Sequence, residues 1–209
     1  MSTAPPELEA RMLERFERLH AVARAVSCQF GSRSPSVAEP KELVQAVRDL
    51  REAARSVPGA HLVIVGGLAL QELGQARWTE VVDAVVDGEH YRELLEALRA
   101  GGFELRSDGG LRHKASGVML DLLREGAQLK GSALPLPHPR ELGPHLGTAG
   151  LEGLLRLKLP SRRLQDQADV VALLKPRLAC AAELRAAVPE ALRERFDALL
   201  AQARDELNA

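Results

Sequence analysis

Asp83 is the one charged side chain in the run Val81 to Val86, VVDAVV, and Asp121 stands between Leu120 and Leu122 in GVMLDLL. Apolar runs of this length read as buried strands. A carboxylate withdrawn from water on such a strand costs several kcal/mol unless it meets a cation, hydrogen-bond donors or a metal ion. These two aspartates therefore need a chemical explanation, whereas Asp87, in the turn that follows, does not. Upstream, VIVGGLAL breaks from an apolar run into Gly66-Gly67. A glycine pair there either makes a tight strand-to-helix turn or lets backbone N–H groups approach phosphate oxygens at a helix start. Both readings are open at this level.

The elements that must position these residues follow from periodicity. Strands are predicted at Leu62 to Val65, Val81 to Val86, Phe103 to Arg106, Leu111 to Ala115 and Val118 to Leu123, with helices at Leu68 to Leu73 and His90 to Ala100. The turn signal Ser107-Asp108-Gly109-Gly110 makes an antiparallel hairpin of the third and fourth strands, so the sheet should be mixed. Ahead of the sheet, apolar spacing predicts helices from Pro6 to about Val26 and from Lys41 to Ser56, joined by the Gly, Ser and Pro-rich loop Cys28 to Pro40. After it, the proline-rich stretch Ser132 to Leu146 should be irregular, and from Gly150 the chain returns to helix, punctuated by Pro160, Pro176 and Pro189. The expected organisation is α+β: an N-terminal helical cap or hairpin over 1–58, an α/β core over 59–146, and a C-terminal helical region over 147–209 packed on that core.

Composition narrows the function classes. In 209 residues, 28 Lys and Arg balance 29 Asp and Glu, so no basic surface points to non-specific nucleic-acid or membrane binding. Only 3% of residues are aromatic, too few for a base-stacking platform. The two cysteines, Cys28 and Cys180, have no metal-ligand spacing and suit a reducing cytoplasm. The start of the chain lacks the layout of a signal peptide, and no run approaches the ~18 apolar residues that span a bilayer. The histidines show no HxH or HExxH spacing, which leaves a hydrolase reading unsupported.

Taken in order, the pieces resemble the nucleotidyltransferase superfold, in particular bacterial AbiEii-like and MenT-like nucleotidyltransferases, over about Leu62 to Lys175. The resemblance rests on VIVGGLAL, on Arg77-Trp78-Thr79-Glu80-Val81-Val82-Asp83 in place of an Arg-x-Thr-x-Asp-φ-Asp element, on Asp121 in GVMLDLL, and on RLKLPSRRLQDQADVVALLK with Lys158, Arg163, Asp166 and Asp169. It implies a mixed sheet flanked by helices, Mg²⁺ as cofactor and an NTP as substrate or ligand. It implies further that Asp83 and Asp121 are the catalytic carboxylates and metal ligands, and that Gly66, Gly67, Arg77, Thr79 and Lys158 contact the nucleotide. Phosphoryl substitution needs clustered carboxylates to hold the ions that bind and polarise the phosphates, and two carboxylates one residue apart on a strand share a face.

The departure from that pattern is Val81, which stands where the resemblance has the first carboxylate. Glu80 is offset by one residue and faces the other way unless a bulge re-aims it. The expected function is a nucleotidyltransferase-like protein with a degraded two-metal site, a weak or inactive pseudoenzyme that binds nucleotide or a protein partner. The alternative is an active Mg²⁺-dependent enzyme moving an NMP from NTP to a protein or RNA hydroxyl, with the toxin of a toxin–antitoxin pair among the roles the resemblance implies. A scaffold whose pocket has closed is a third reading. Structural roles stand beside each assignment: an arginine partner for Asp83, local backbone bonding for Thr79, a solvated Lys158 at the edge of an apolar helix face, and Asp166 and Asp169 pairing with Arg162 or Arg163 near a helix start. A filled cleft would favour the scaffold, and converging carboxylates beside the glycine pair would favour nucleotide chemistry.

Overall fold

The computed structural model describes Glu14, Glu17, residues 40–75 and residues 79–208. Apart from Glu14 and Glu17, the predicted first helix lies outside these residues, as do Arg77 and the predicted loop as far as residue 39; Pro40, its last expected residue, opens a helix instead. The described chain begins with α1, Pro40–Arg55, whose proline suits a first turn and whose Glu42 and Arg55 complement the helix dipole at its two ends. β1 (Leu62–Val65), α2 (Gly66–Glu72), β2 (Val81–Val86), α3 (Tyr91–Ala100), β3 (Phe103–Leu105), β4 (Leu111–His113) and β5 (Met119–Arg124) follow. The C-terminal part holds α4 (Leu151–Lys158), α5 (Leu164–Leu174), α6 (Ala181–Ala187) and α7 (Arg193–Asn208) with short 3₁₀ turns between them.

The expected mixed sheet forms, in the order β1-β2-β5-β4-β3. β2 and β5 pair in parallel and the other neighbours are antiparallel. The Ser107 to Gly110 turn closes the β3–β4 hairpin as its residues suggest: the Arg106 N–H donates to Gly110 O at 2.8 Å, and Asp108 accepts from the Gly110 N–H at 3.1 Å. The strand ends differ from expectation by a residue or two: β4 stops at His113 because the chain turns back into β5 there, the Gly117 N–H donating to His113 O at 2.7 Å and the His113 N–H to Val118 O at 2.8 Å.

Alternation assigns the two faces of the sheet. Leu62, Ile64, Val82, Ala84, Val86 and Leu120 join Leu43, Val47 and Leu50 of α1 and Leu94 and Leu98 of α3 in one core. Val63, Val65 and Val85 point the other way, to Leu136, Leu142, Ala149, Leu154 and Leu173. α4 connects that second core to a third, made by Leu155, Leu159, Val170, Leu174, Phe196 and Leu200 of the C-terminal helices. Among the described residues no helix is long and apolar enough to cross a membrane.

The stretch predicted as irregular contains one feature that periodicity does not announce. Residues 145–149 run along the outer edge of β1: the Leu146 N–H donates to Leu62 O at 2.8 Å, Ile64 to Gly147 O at 2.9 Å, and Ala149 to Ile64 O at 2.7 Å. The strap covers an edge that would otherwise present unpaired backbone groups, and it leads into α4. His145 pins its start, accepting the Leu62 N–H at Nδ1 (3.2 Å) with the His61 ring 5.3 Å away between centroids.

That bond needs the Nδ1 lone pair, which protonation there removes. Burial, then the nearby His61 and Arg55 charges, push the His145 imidazole below its ordinary value of 6.5, with Asp87 acting the opposite way. His90 is raised instead, chiefly by its side-chain hydrogen bond to Asp87. The His90 contribution is complete below the unfolded value and disappears as pH rises through the raised one. The His145 contribution is complete above the unfolded value and disappears as pH falls through the lowered one. Of these two groups only His145 therefore weakens the fold as pH drops from about 6.5 to 5. The urea midpoint is expected to fall across that interval, and to fall less in His145→Asn, whose amide oxygen can accept the same N–H but does not titrate.

Candidate functional site

The parallel β2–β5 ladder places Asp83 opposite Asp121 and Val81 opposite Met119. Since Val82, Ala84 and Leu120 point into the core under α1 and α3, Val81, Asp83 and Asp121 share the opposite face. Neighbouring strands run about 4.8 Å apart, so the two carboxylates are adjacent. Both line a cleft of about 360 Å³ together with Gly66, Gly67, Thr79 and Val81 from the sheet side, and Lys158, Ser161, Arg163, Asp166 and Asp169 from the helical side. Asp83 is half-buried and Asp121 exposed. Glu80 does not line the cleft.

The glycine pair is shaped by close approach. Gly66 has φ +65°, and a Cβ there would sit 2.0 Å from Oδ2 of Asp83; a Cβ at Gly67 would sit 2.6 Å from Cβ of Thr79. The backbone at the end of β1 thus lies directly against the Asp83 carboxylate, a position open only to glycine. Thr79 holds the entry to β2: its hydroxyl donates to Val81 O at 2.8 Å and accepts from the Val81 N–H at 3.3 Å. Its local bonding and its place on the cleft rim coexist.

Lys158 lies in the cleft wall, not in solvent. It closes α4 with its side chain 10% exposed, and its Nζ donates to Asp166 Oδ1 and Asp169 Oδ2, each at 2.7 Å. Ser161 donates to Asp166 at 2.7 Å and Gln165 to Asp169 at 3.1 Å. Burial by itself would raise the Asp166 carboxyl, but the Lys158 and Ser161 hydrogen bonds hold it below the usual carboxylate range. Asp166 approaches Arg163 only to 3.9 Å. Its main partner comes from the preceding helix, across the Pro160 turn, rather than from the neighbouring arginine that helix spacing suggests.

The structure therefore gathers Gly66, Gly67, Thr79, Asp83, Asp121 and Lys158 around one cleft, while Arg77 lies outside the described residues. It adds Lys130, Ser132, Ser161 and Gln165, which sequence reasoning did not single out. Their only signal is proximity to the Lys158 to Asp169 segment, and Lys130 and Ser132 lack even that. A second hollow, of about 570 Å³, lies where β3 meets α3, between Glu96, Arg99, Phe103 and Lys114. None of the residues singled out from the sequence lines it. Among the described residues no group of three or more His, Cys, Asp or Glu side chains is arranged to hold a metal ion.

Comparison with solved structures finds a likeness to the solution structure of the antibiotic-resistance factor ANT(2'')-Ia, at 20% identity and a TM-score of 0.41, covering 80% of this chain and 94% of that one. No family model matches the chain, and no curated protein matches it.

Two substitutions separate the contacts that hold this site. Gly66→Ala combines a left-handed backbone position with displacement of the Asp83 carboxylate, and should lower stability by ~1–3 kcal/mol. Lys158→Met leaves Asp166 and Asp169 facing each other without their shared cation, and should cost ~3 kcal/mol. Urea unfolding at neutral pH reads both.

Proposed function

We propose that the cleft binds a nucleoside triphosphate with Mg²⁺ between Asp83 and Asp121, and that transfer from it is weak or absent because Val81 takes the place of a third carboxylate. The observation that carries this reading is the in-register pair Asp83 and Asp121 on one face, beside the Gly66-Gly67 turn, in a cleft that remains open. An open cleft with two carboxylates supports ligand chemistry over a scaffold whose pocket has closed. The donor set suits Mg²⁺, which is commonly held by one or two carboxylates plus substrate phosphates rather than by an all-protein cage. When bound, such an ion offsets phosphate charge and orients the phosphates for in-line attack.

The chain's own residues have separable parts in this reading. Asp83, braced by the Gly66 backbone, and Asp121 hold the cation. Gly66 and Gly67 let the chain come close to phosphate oxygens, and Thr79 fixes the start of the strand that bears Asp83. Val81 offers an isopropyl group where a ligand is needed, so one coordination position falls to the nucleotide or to water, and activation of an acceptor hydroxyl suffers most.

Thermal unfolding with each of the four NTPs, with and without Mg²⁺, tests the binding. A ligand at ~100 times its dissociation constant adds ~2.7 kcal/mol, a shift of a few degrees in a protein of this size. At least one NTP should give a Mg²⁺-dependent shift, which Asp83→Asn and Asp121→Asn should abolish. Val81→Asp should add Mg²⁺-dependent attack of an acceptor hydroxyl, or of water, on the α-phosphorus of the NTP that binds, with the α–β phosphoanhydride bond broken and pyrophosphate released. No shift with any NTP would favour a scaffold, and ready pyrophosphate release by the unaltered protein would favour an active transferase.

A further inference from the structure

We propose that Lys130 and Arg163 form the polyphosphate clamp of this cleft and that Lys158 does not contact the phosphates; this rests on the nucleotide reading above. Four aspartates line the cleft, Asp83, Asp121, Asp166 and Asp169, against the cations Lys130, Lys158 and Arg163. Lys158 is committed, since it is nearly buried and donates to two carboxylates at 2.7 Å. A triphosphate brought beside it would meet those carboxylates as well, and the three side chains together carry a net negative charge.

Lys130 and Arg163 differ from it. Lys130 is exposed, and among the described residues it makes no ion pair. The Arg163 side chain is 67% exposed and, among the described residues, its one ion pair, with Asp166, is long at 3.9 Å. Two cations that keep their charge available at a cleft mouth suit an anion with several negative oxygens.

The backbone brings the two together. Ser132 and Ser161 form an isolated antiparallel bridge. The Arg162 N–H donates to Gly131 O at 2.7 Å, and the Ala133 N–H to Pro160 O at 2.9 Å. Cγ of Arg163 lies 3.4 Å from where a Cβ of Gly131 would be, so the arginine stem packs over the residue next to Lys130. The bridge makes a rim, separate from the sheet that carries Asp83 and Asp121, with both cations on it. A nucleotide whose phosphates span from the carboxylate pair to this rim would meet a metal-binding end and a cationic end.

Calorimetric titration with inorganic triphosphate at saturating Mg²⁺, at two salt concentrations, tests the clamp without any base or sugar contact. Lys130→Gln and Arg163→Gln should each weaken binding about three- to tenfold, and the double variant more, with a shallower salt dependence. Lys114→Gln, which removes an exposed cation beside the other hollow, should leave affinity unchanged. Unfolding midpoints of the clamp variants should match that of the unaltered protein, since both side chains are exposed. Binding by the double variant within about twofold of the unaltered protein would overturn the clamp and leave the nucleotide reading standing. Failure of the unaltered protein to bind triphosphate with Mg²⁺ would overturn both.

Discussion

The in-register parallel pairing of β2 with β5 is the constraint on which the rest depends. It sets Asp83 beside Asp121 on one face of the sheet. A slip of one residue would send Asp121 toward the core that Leu120 fills and bring an apolar side chain into the cleft. The register is held from the other face, where Val82, Ala84, Val86 and Leu120 pack under α1 and α3. The apolar core and the polar cleft are thus two sides of one choice. Burial of the even-numbered positions obliges the aspartates to face away from α1 and α3, and the chain leaves room for Asp83 there by following β1 with glycine.

Concentrating carboxylates around one cleft has an electrostatic cost, and the structure meets it unevenly. Asp166 and Asp169 share Lys158 and are hydrogen-bonded by Ser161 and Gln165. This network ties the end of α4 to the first half of α5, and so joins the C-terminal helical core to the cleft wall. Ion pairs of this kind contribute little net stability, but losing one partner is expensive. Its effect is to fix where α5 begins and hence where Arg163 stands. Asp83 and Asp121 both line the cleft, Asp83 half-buried and Asp121 exposed, and the Arg106 guanidinium, raised chiefly by its hydrogen bond to Asp108, also feels the charge of Asp121.

How far this arrangement was legible in the sequence depends on the range of the interaction. Asp83 and Asp121 stood out because a charge in an apolar strand violates a period-two pattern, and the hairpin was readable because Ser107 to Gly110 carry turn chemistry of their own. The strap at 145–149 was not readable, because its pairing depends on β1, some eighty residues away, and not on any local periodicity. The helical stripe of Leu151, Leu154, Leu155 and Leu159 leaves Lys158 at its edge, which suits either solvent or the nucleotide contact that the resemblance implies. What draws it in is a pair of acids on the next helix, beyond the Pro160 turn. Lys130 lies in a loop without motif, and only the Ser132–Ser161 bridge gives it a place.

Val81 is where the apolar pattern of β2 meets the cleft. It stands two residues before Asp83 on the same face, opposite Met119, whose sulfur accepts from Arg106 Nη1 at 3.0 Å. The position where a third carboxylate would complete a cage is therefore apolar on both strands and has a guanidinium nearby. Glu80 does not line the cleft and cannot take over. On the nucleotide reading, two carboxylates by themselves leave most of the coordination shell of Mg²⁺ to water. A triphosphate by itself would meet the negative charge of Asp83 and Asp121. Each ligand supplies what the other lacks, so their affinities are coupled, and by linkage the coupling has the same size in both directions. On that reading, an apolar side chain at position 81 would weaken cation binding to the empty cleft more than to the filled one, which would favour joint entry of nucleotide and metal.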